Sequence, residues 1–126
     1  MPTAEDNKTI VRGAYEAMAG GDARGFLGVL AADVEIHEPP FLPYGGVHRG
    51  QGEVIAFLQK AAPLVAPGKL AVEQLIADGD TVVAVLTLGL SNGTDAVVTE
   101  IWRMADGKAV ELRVFWFDPA LAAAAG

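Results

Sequence analysis

The chain has 126 residues, a formal net charge of −7, a pI near 4.6 and no cysteine. That length supports one domain with a core of its own, and the lack of thiols excludes disulfides, thiolate metal sites and cysteine nucleophiles. Nine lysines and arginines scattered along the sequence do not make a nucleic-acid surface. Although 52% of residues are apolar, no apolar run approaches the roughly 18 residues of a membrane span. The first ten residues, MPTAEDNKTI, are acidic and polar where a signal peptide needs a basic flank and an apolar stretch, so a soluble cytoplasmic protein is expected.

Asn7 or Thr9 is the expected cap of a first helix running to about Ala19, with Ile10, Val11, Ala14, Tyr15 and Met18 at helical spacing on one face. Gly20-Gly21 ends it, and Asp22 caps a short second helix that turns Phe26, Leu27 and Leu30 inward. A strand follows over Val34–His37. The run from Glu38 to Gly46 contains three prolines and two glycines, which predicts an ordered loop across a pocket mouth. Val47–Gly50 reads as a short edge strand and Gln51 to about Ala62 as a third helix burying Val54, Ile55, Phe57 and Leu58, stopped by Pro63 and Pro67-Gly68. Strands near Lys69–Ala77, Thr81–Leu90, Asp95–Met104 and Ala109–Phe117 are punctuated by Asp78-Gly79, Asn92-Gly93 and Asp106-Gly107 at hairpin spacing. Thr81–Leu90 is almost continuously apolar, which predicts cover on both faces. Helices first and strands later give an α+β fold: a curved, mainly antiparallel sheet wrapped around three helices, enclosing an apolar cavity.

The last hairpin, Thr94–Pro119, carries the buried-looking carboxylates, and its turn length decides which side chains share a face. A two-residue Asp106-Gly107 turn sets Glu100 opposite Arg113, an ordinary cross-strand ion pair. A three-residue Ala105–Gly107 loop sets Glu100 opposite Leu112 instead, on a face with Val98, Trp102, Val110, Val114 and Trp116, Asp118 continuing the parity. Hairpin geometry and polarity favour the second register. Thr99, Arg103, Glu111 and Arg113 then share the outer face with Ile101, Phe115 and Phe117, as a dimer or solvent contact.

Several motifs together resemble a known family: Gly21-Asp22, the run Ala32–Pro39 (ADVEIHEP), Tyr44-Gly45-Gly46 with Arg49-Gly50, and Asp106-Gly107-Lys108 followed by Phe115–Asp118. They are similar to SnoaL-like proteins, in the superfamily of ketosteroid isomerase, scytalone dehydratase, limonene epoxide hydrolase and nuclear transport factor two. The resemblance implies a cone of sheet plugged by three helices, a homodimer, an apolar small-molecule ligand and chemistry without cofactor or metal. Glu38-Pro39 falls where ketosteroid isomerase has its Asp-Pro general base, and Glu100 where it has the protonated acid of its oxyanion hole. The tyrosine of that hole falls nearer Ala14, with Tyr15 one residue on. Asp118 falls where SnoaL-type polyketide cyclases carry an acid–base aspartate, and Val98 stands where limonene epoxide hydrolase has an arginine.

Carboxyl groups in an apolar cavity are costly to ionise, and two in different surroundings can divide acid and base roles. Glu38, Glu100 and Asp118 are candidates on that ground, each with a plainer alternative: a solvated loop residue, the Arg113 pair, and the cap of a tail helix ahead of Pro119. Tyr15 is either packing or a phenol donating to a ligand oxygen. His37 is a candidate acid or base near the mouth; with His48 it lacks the spacing of a metal site. Met18, Phe41, Tyr44, Phe57, Trp102, Leu112, Val114 and Trp116 are expected around the cavity, as core or as ligand contacts.

Overall fold

The computed structural model describes residues 2–125. The first half of the chain holds α1 (Ala4–Ala19), α2 (Ala23–Leu27), β1 (Leu30–Glu38), β2 (Gly46–Arg49) and α3 (Gly50–Ala61). β3 (Val65–Asp78), β4 (Thr81–Leu90), β5 (Asp95–Ala105) and β6 (Lys108–Trp116) fill the second half, followed by α4 (Ala120–Ala125). The strands form one sheet in the order β2-β1-β6-β5-β4-β3, antiparallel throughout except between β1 and β6, which run parallel. It curls into a half-barrel with α1 against β3 and β4 and α3 against β1, which is the α+β cone that the sequence predicts.

Local chemistry explains the element ends. The Thr3 hydroxyl accepts from the Asp6 N–H at 3.1 Å while the Asp6 carboxylate accepts from the Thr3 N–H at 2.8 Å, so α1 begins ahead of the expected Asn7 or Thr9 cap. Asn7 is buried instead, and its amide donates to the Gly79 carbonyl at 3.1 Å, fastening the helix to the β3–β4 turn. Val11, Ala14 and Tyr15 form the inner face of α1, and Asp22 caps α2 as expected. Leu30 belongs to β1, which starts there and not at Val34. β3 likewise starts at Val65, ahead of Lys69. α3 buries Val54 and Phe57, but Ile55 lies off that stripe and is 42% exposed. β4 buries Val82, Ala84 and Leu86 on its inner face only; Val83 and Val85 are half-buried, because α1 covers just the inner side.

The β5–β6 hairpin departs from the expected register in an instructive way. Its turn is the two-residue Asp106-Gly107, both at positive φ (50° and 78°), with Ala105 opposite Lys108 and Met104 opposite Ala109. A bulge then inserts Val110, so that Arg103 pairs with Glu111 and Glu100 faces Val114, neither Arg113 nor Leu112. One extra residue restores the parity that a three-residue loop would have given, because side chains alternate with period two. Val98, Glu100, Trp102, Leu112, Val114 and Trp116 therefore share the inner face after all.

Candidate active site

Between the curled sheet and the helices lies a cavity of about 350 Å³. Tyr15 and Met18 of α1, Phe57 of α3, Leu86 of β4 and Trp116 of β6 are among its apolar walls. Among the described residues, the titratable side chains on it are Tyr15, Glu38, Tyr44 and Glu100, and no Lys, Arg or His lines it.

Three side chains form a hydrogen-bonded chain beside this cavity. Trp102, fully buried on β5, donates its indole N–H to the Tyr15 hydroxyl at 2.7 Å, and Tyr15 donates its own proton to Glu100 Oε1 at 2.7 Å. The rings of Tyr15 and Trp102 meet edge to face, 5.5 Å apart, and Phe26 also packs edge-on to the indole at 6.3 Å. Burial pushes the Glu100 carboxyl up to about 7, against the opposing pull of the Tyr15 hydrogen bond. The same burial, with the adjacent Glu100 charge, holds the Tyr15 hydroxyl protonated far above the usual phenol range.

Glu38 reaches the cavity from the end of β1, where Pro39 and Pro40 follow it without amide hydrogens to offer. Among the described residues its carboxyl has no hydrogen-bond partner, and burial together with the charge of Glu100 pushes it up to about 9. The loop beyond closes through Leu42 N–H to the Pro39 carbonyl (3.1 Å) and Gly45 N–H to the Leu42 carbonyl (2.9 Å). A Cβ on Gly45 would strike the Pro39 carbonyl oxygen and lie 2.8 Å from Pro40 Cα, so this tight fold-back needs glycine. It delivers Tyr44 onto Phe57, ring centroids 5.9 Å apart, and His48 stacks on the same ring at 4.5 Å while bonding the Tyr44 carbonyl at 2.7 Å. Burial, then the charges of Glu38 and Glu100, raise the Tyr44 hydroxyl as well.

The expected residues divide accordingly. Tyr15, Glu38 and Glu100 come together, with Met18, Tyr44, Phe57, Leu112, Val114 and Trp116 around them. Trp102 lies behind Tyr15 and does not line the cavity. Asp118 is exposed past the end of β6, where its carboxylate accepts from the Ala120 N–H at 3.0 Å and caps α4; strand parity does not carry it inward. Phe41 is 43% exposed, edge-on to Trp116 at 6.3 Å, in a second, more open hollow of about 600 Å³ that His37 and Arg113 also line.

His37 is turned to the outer side, where its Nε2 lies 3.3 Å from Glu35 Oε1 and 3.8 Å from Glu111 Oε2. Ligating atoms of these three residues fall within 4.8 Å of one another. Arg49 meets Glu35 at 3.5 Å, and Arg103 and Arg113 meet Glu111 at 3.9 and 3.2 Å, which makes the group an ion-pair network shared with three guanidiniums. It follows from the parallel pairing of Glu35 with Glu111, which sequence reasoning did not foresee. Leu86 and Leu88 were also missed as cavity walls, although their alternation along β4 signals it.

The model of the SnoaL-like domain matches residues 11–112. No curated protein matches the chain. Among solved structures, an NTF2-like protein of unknown function from Burkholderia pseudomallei is 32% identical over 90% of this chain and 92% of its own, with a TM-score of 0.80. An NTF2-like protein from Burkholderia thailandensis superposes with a TM-score of 0.85 at 24% identity, covering 99% of this chain and 98% of its own. TerC, co-crystallised with polyporic acid, is 25% identical over 87% of this chain and 90% of its own, with a TM-score of 0.76. The chain therefore belongs to the SnoaL-like family, within the nuclear-transport-factor-two-like superfamily.

Proposed function

We propose that this protein is a cofactor-free acid–base enzyme that moves a proton within an apolar carbonyl compound, as isomerases and cyclases of this superfamily do. The observation that carries the reading is the pair Glu38 and Glu100 on one apolar cavity that no Lys, Arg or His among the described residues lines. Burial lifts both carboxyls toward the pH at which an acid and a base work best. An ionised carboxylate removes a proton from the carbon next to the carbonyl, a neutral one donates a hydrogen bond to the developing enolate oxygen, and the proton returns to carbon. Tyr44, Phe57 and Trp116 keep water from the enolate. A volume of about 350 Å³ is at the small end of the roughly 300–1,000 Å³ of small-molecule sites. The likeness to TerC, co-crystallised with polyporic acid, supports a small organic ligand here.

The same reading takes residues 1–126 as one domain acting in the cytoplasm as a homodimer. Ile76, Val97, Phe115 and Phe117 on the outer side of the sheet are 49%, 48%, 50% and 75% exposed, which supports a contact between two copies there. No described helix is long and apolar enough to cross a membrane.

The test is solvent deuterium exchange into a panel of cyclic enolisable ketones, followed by NMR. Exchange that falls in Glu38→Gln and in Glu100→Gln supports the enzyme. Ligands that saturate the cavity without exchange in any variant would replace it with a non-catalytic module for an apolar ligand.

A further inference from the structure

We infer that Glu100 is the ionised base of this site and Glu38 its neutral acid, with Tyr15 and Trp102 as the positioning residues that fix the assignment. The inference rests on the acid–base reading above and reverses the roles that the ketosteroid isomerase resemblance implies.

The argument starts from donor and acceptor inventories. An indole N–H has no lone pair to offer, so the 2.7 Å bond between Trp102 and Tyr15 runs one way, from nitrogen to phenol oxygen. Tyr15 has a single proton, and the remaining short contact, 2.7 Å to Glu100 Oε1, is where it goes. Glu100 is thereby an acceptor, and a donated hydrogen bond favours its charged form. Glu38 has the opposite surroundings. Pro39 and Pro40 deny it local amide donors, and no described side chain or amide donates to its carboxyl.

The titratable groups that share the cavity with these carboxyls are Tyr15 on α1 and Tyr44 on the loop after β1, with no cation among the described residues that line it; Glu38 also borders the second hollow, which His37 and Arg113 line while pairing with Glu111 on the outer side of the sheet. Two negative charges in so apolar a space repel and are poorly solvated, so one proton stays, and it stays on the carboxyl without donors. Burial lifts Glu38 to about 9 and Glu100 to about 7, in the same order as the geometry.

The consequence for substrate is an orientation. The acidic carbon lies toward Glu100, which takes its proton as the C–H electron pair moves into the enolate. The carbonyl oxygen lies toward Glu38, whose O–H donates to it. Glu100 then returns the proton to carbon, and both carboxyls end as they began.

The opposite assignment gives the same bell-shaped rate profile, so kinetics alone do not separate the two, whereas site-resolved titration does. The experiment is a carboxyl-carbon NMR titration of protein labelled at glutamate, with Glu38→Gln and Glu100→Gln identifying the two resonances. The expected result is a lower midpoint for Glu100 than for Glu38. Tyr15→Phe is expected to raise the Glu100 midpoint by about one unit. Trp102→Phe, which removes the N–H and keeps a ring against Tyr15 and Phe26, is expected to raise it by less. A Glu38 midpoint below that of Glu100, or no response to Tyr15→Phe, overturns the assignment while leaving the acid–base pair in place. Both midpoints near the solution value of about 4.3 would sink the enzyme reading as well. If Trp102→Phe does not fold, the order of midpoints and Tyr15→Phe still decide.

Discussion

Replacing Glu38 with Gln is expected to change how stability depends on pH. A carboxyl whose folded pKa lies above its unfolded value keeps a proton in the native state that the unfolded chain has released. Its contribution is therefore full below the unfolded value and is lost as pH rises toward the folded one, at about 1.4 kcal/mol per pH unit. For Glu38 the window runs from the ordinary 4.5 to about 9. Between about pH 5.5 and about pH 8 this residue alone removes up to about 3 kcal/mol, on the order of 10 °C in Tm for a chain of this size. Glu100 adds a loss of the same sign from 4.5 to about 7. Thermal melts across this range are expected to show wild type falling throughout, and Glu38→Gln falling only to about pH 7 and then levelling. Parallel profiles above pH 7 would refute the claim that a buried neutral Glu38 sets the slope.

Other expectations are narrower. Gly45→Ala presses a methyl into the Pro39–Pro40 backbone and is expected to cost about 1–3 kcal/mol and to weaken apolar ligand binding by displacing Tyr44, checked by melting and by fluorescent-probe titration. Leu86→Trp fills the cavity from its β4 wall; circular dichroism is expected to stay native while probe affinity falls at least about tenfold. If the proposed homodimer forms through the outer sheet, Phe115→Glu combined with Phe117→Glu puts charge on it and is expected to leave only monomer in sedimentation analysis, without loss of secondary structure; a wild type that already sediments as a monomer refutes the dimer.

Strand periodicity made the inner face of the last hairpin legible even though the turn was misread. The three-residue loop and the two-residue turn plus bulge differ in register but agree in parity, and parity alone decides whether Glu100 meets the cavity. The same logic failed at Asp118, because the strand ends at Trp116 and a carboxylate before Pro119 finds an amide to cap. His37 was misplaced for a different reason: the inward Val34 and Ile36 already turn it to the outer side of β1, beside Glu35, but nothing local reveals the parallel β1–β6 pairing that adds Glu111. The Tyr15 hydrogen bond was foreseen only as a phenol near a ligand. That its partner is Glu100, with Trp102 behind it, depends on the packing of α1 against the curled sheet, which composition and spacing do not encode.

The parallel β1–β6 pairing also bears on how the molecule comes to be. β1 is made early, yet apart from the short β2 its sheet partner is the last strand of the six, after α3 and three long strands have intervened. Contacts so distant along the chain are expected to form late, since loop closure must be met before they stabilise anything. β3, β4 and β5 can assemble as successive hairpins, whereas the space between Glu38 and Glu100 is walled only once β6 has locked β1 in place. On that order, ligand contacts are absent from the folding transition state. An apolar ligand that occupies the cavity is expected to leave the refolding rate unchanged and to slow unfolding, so occupancy shows itself as longevity of the native state.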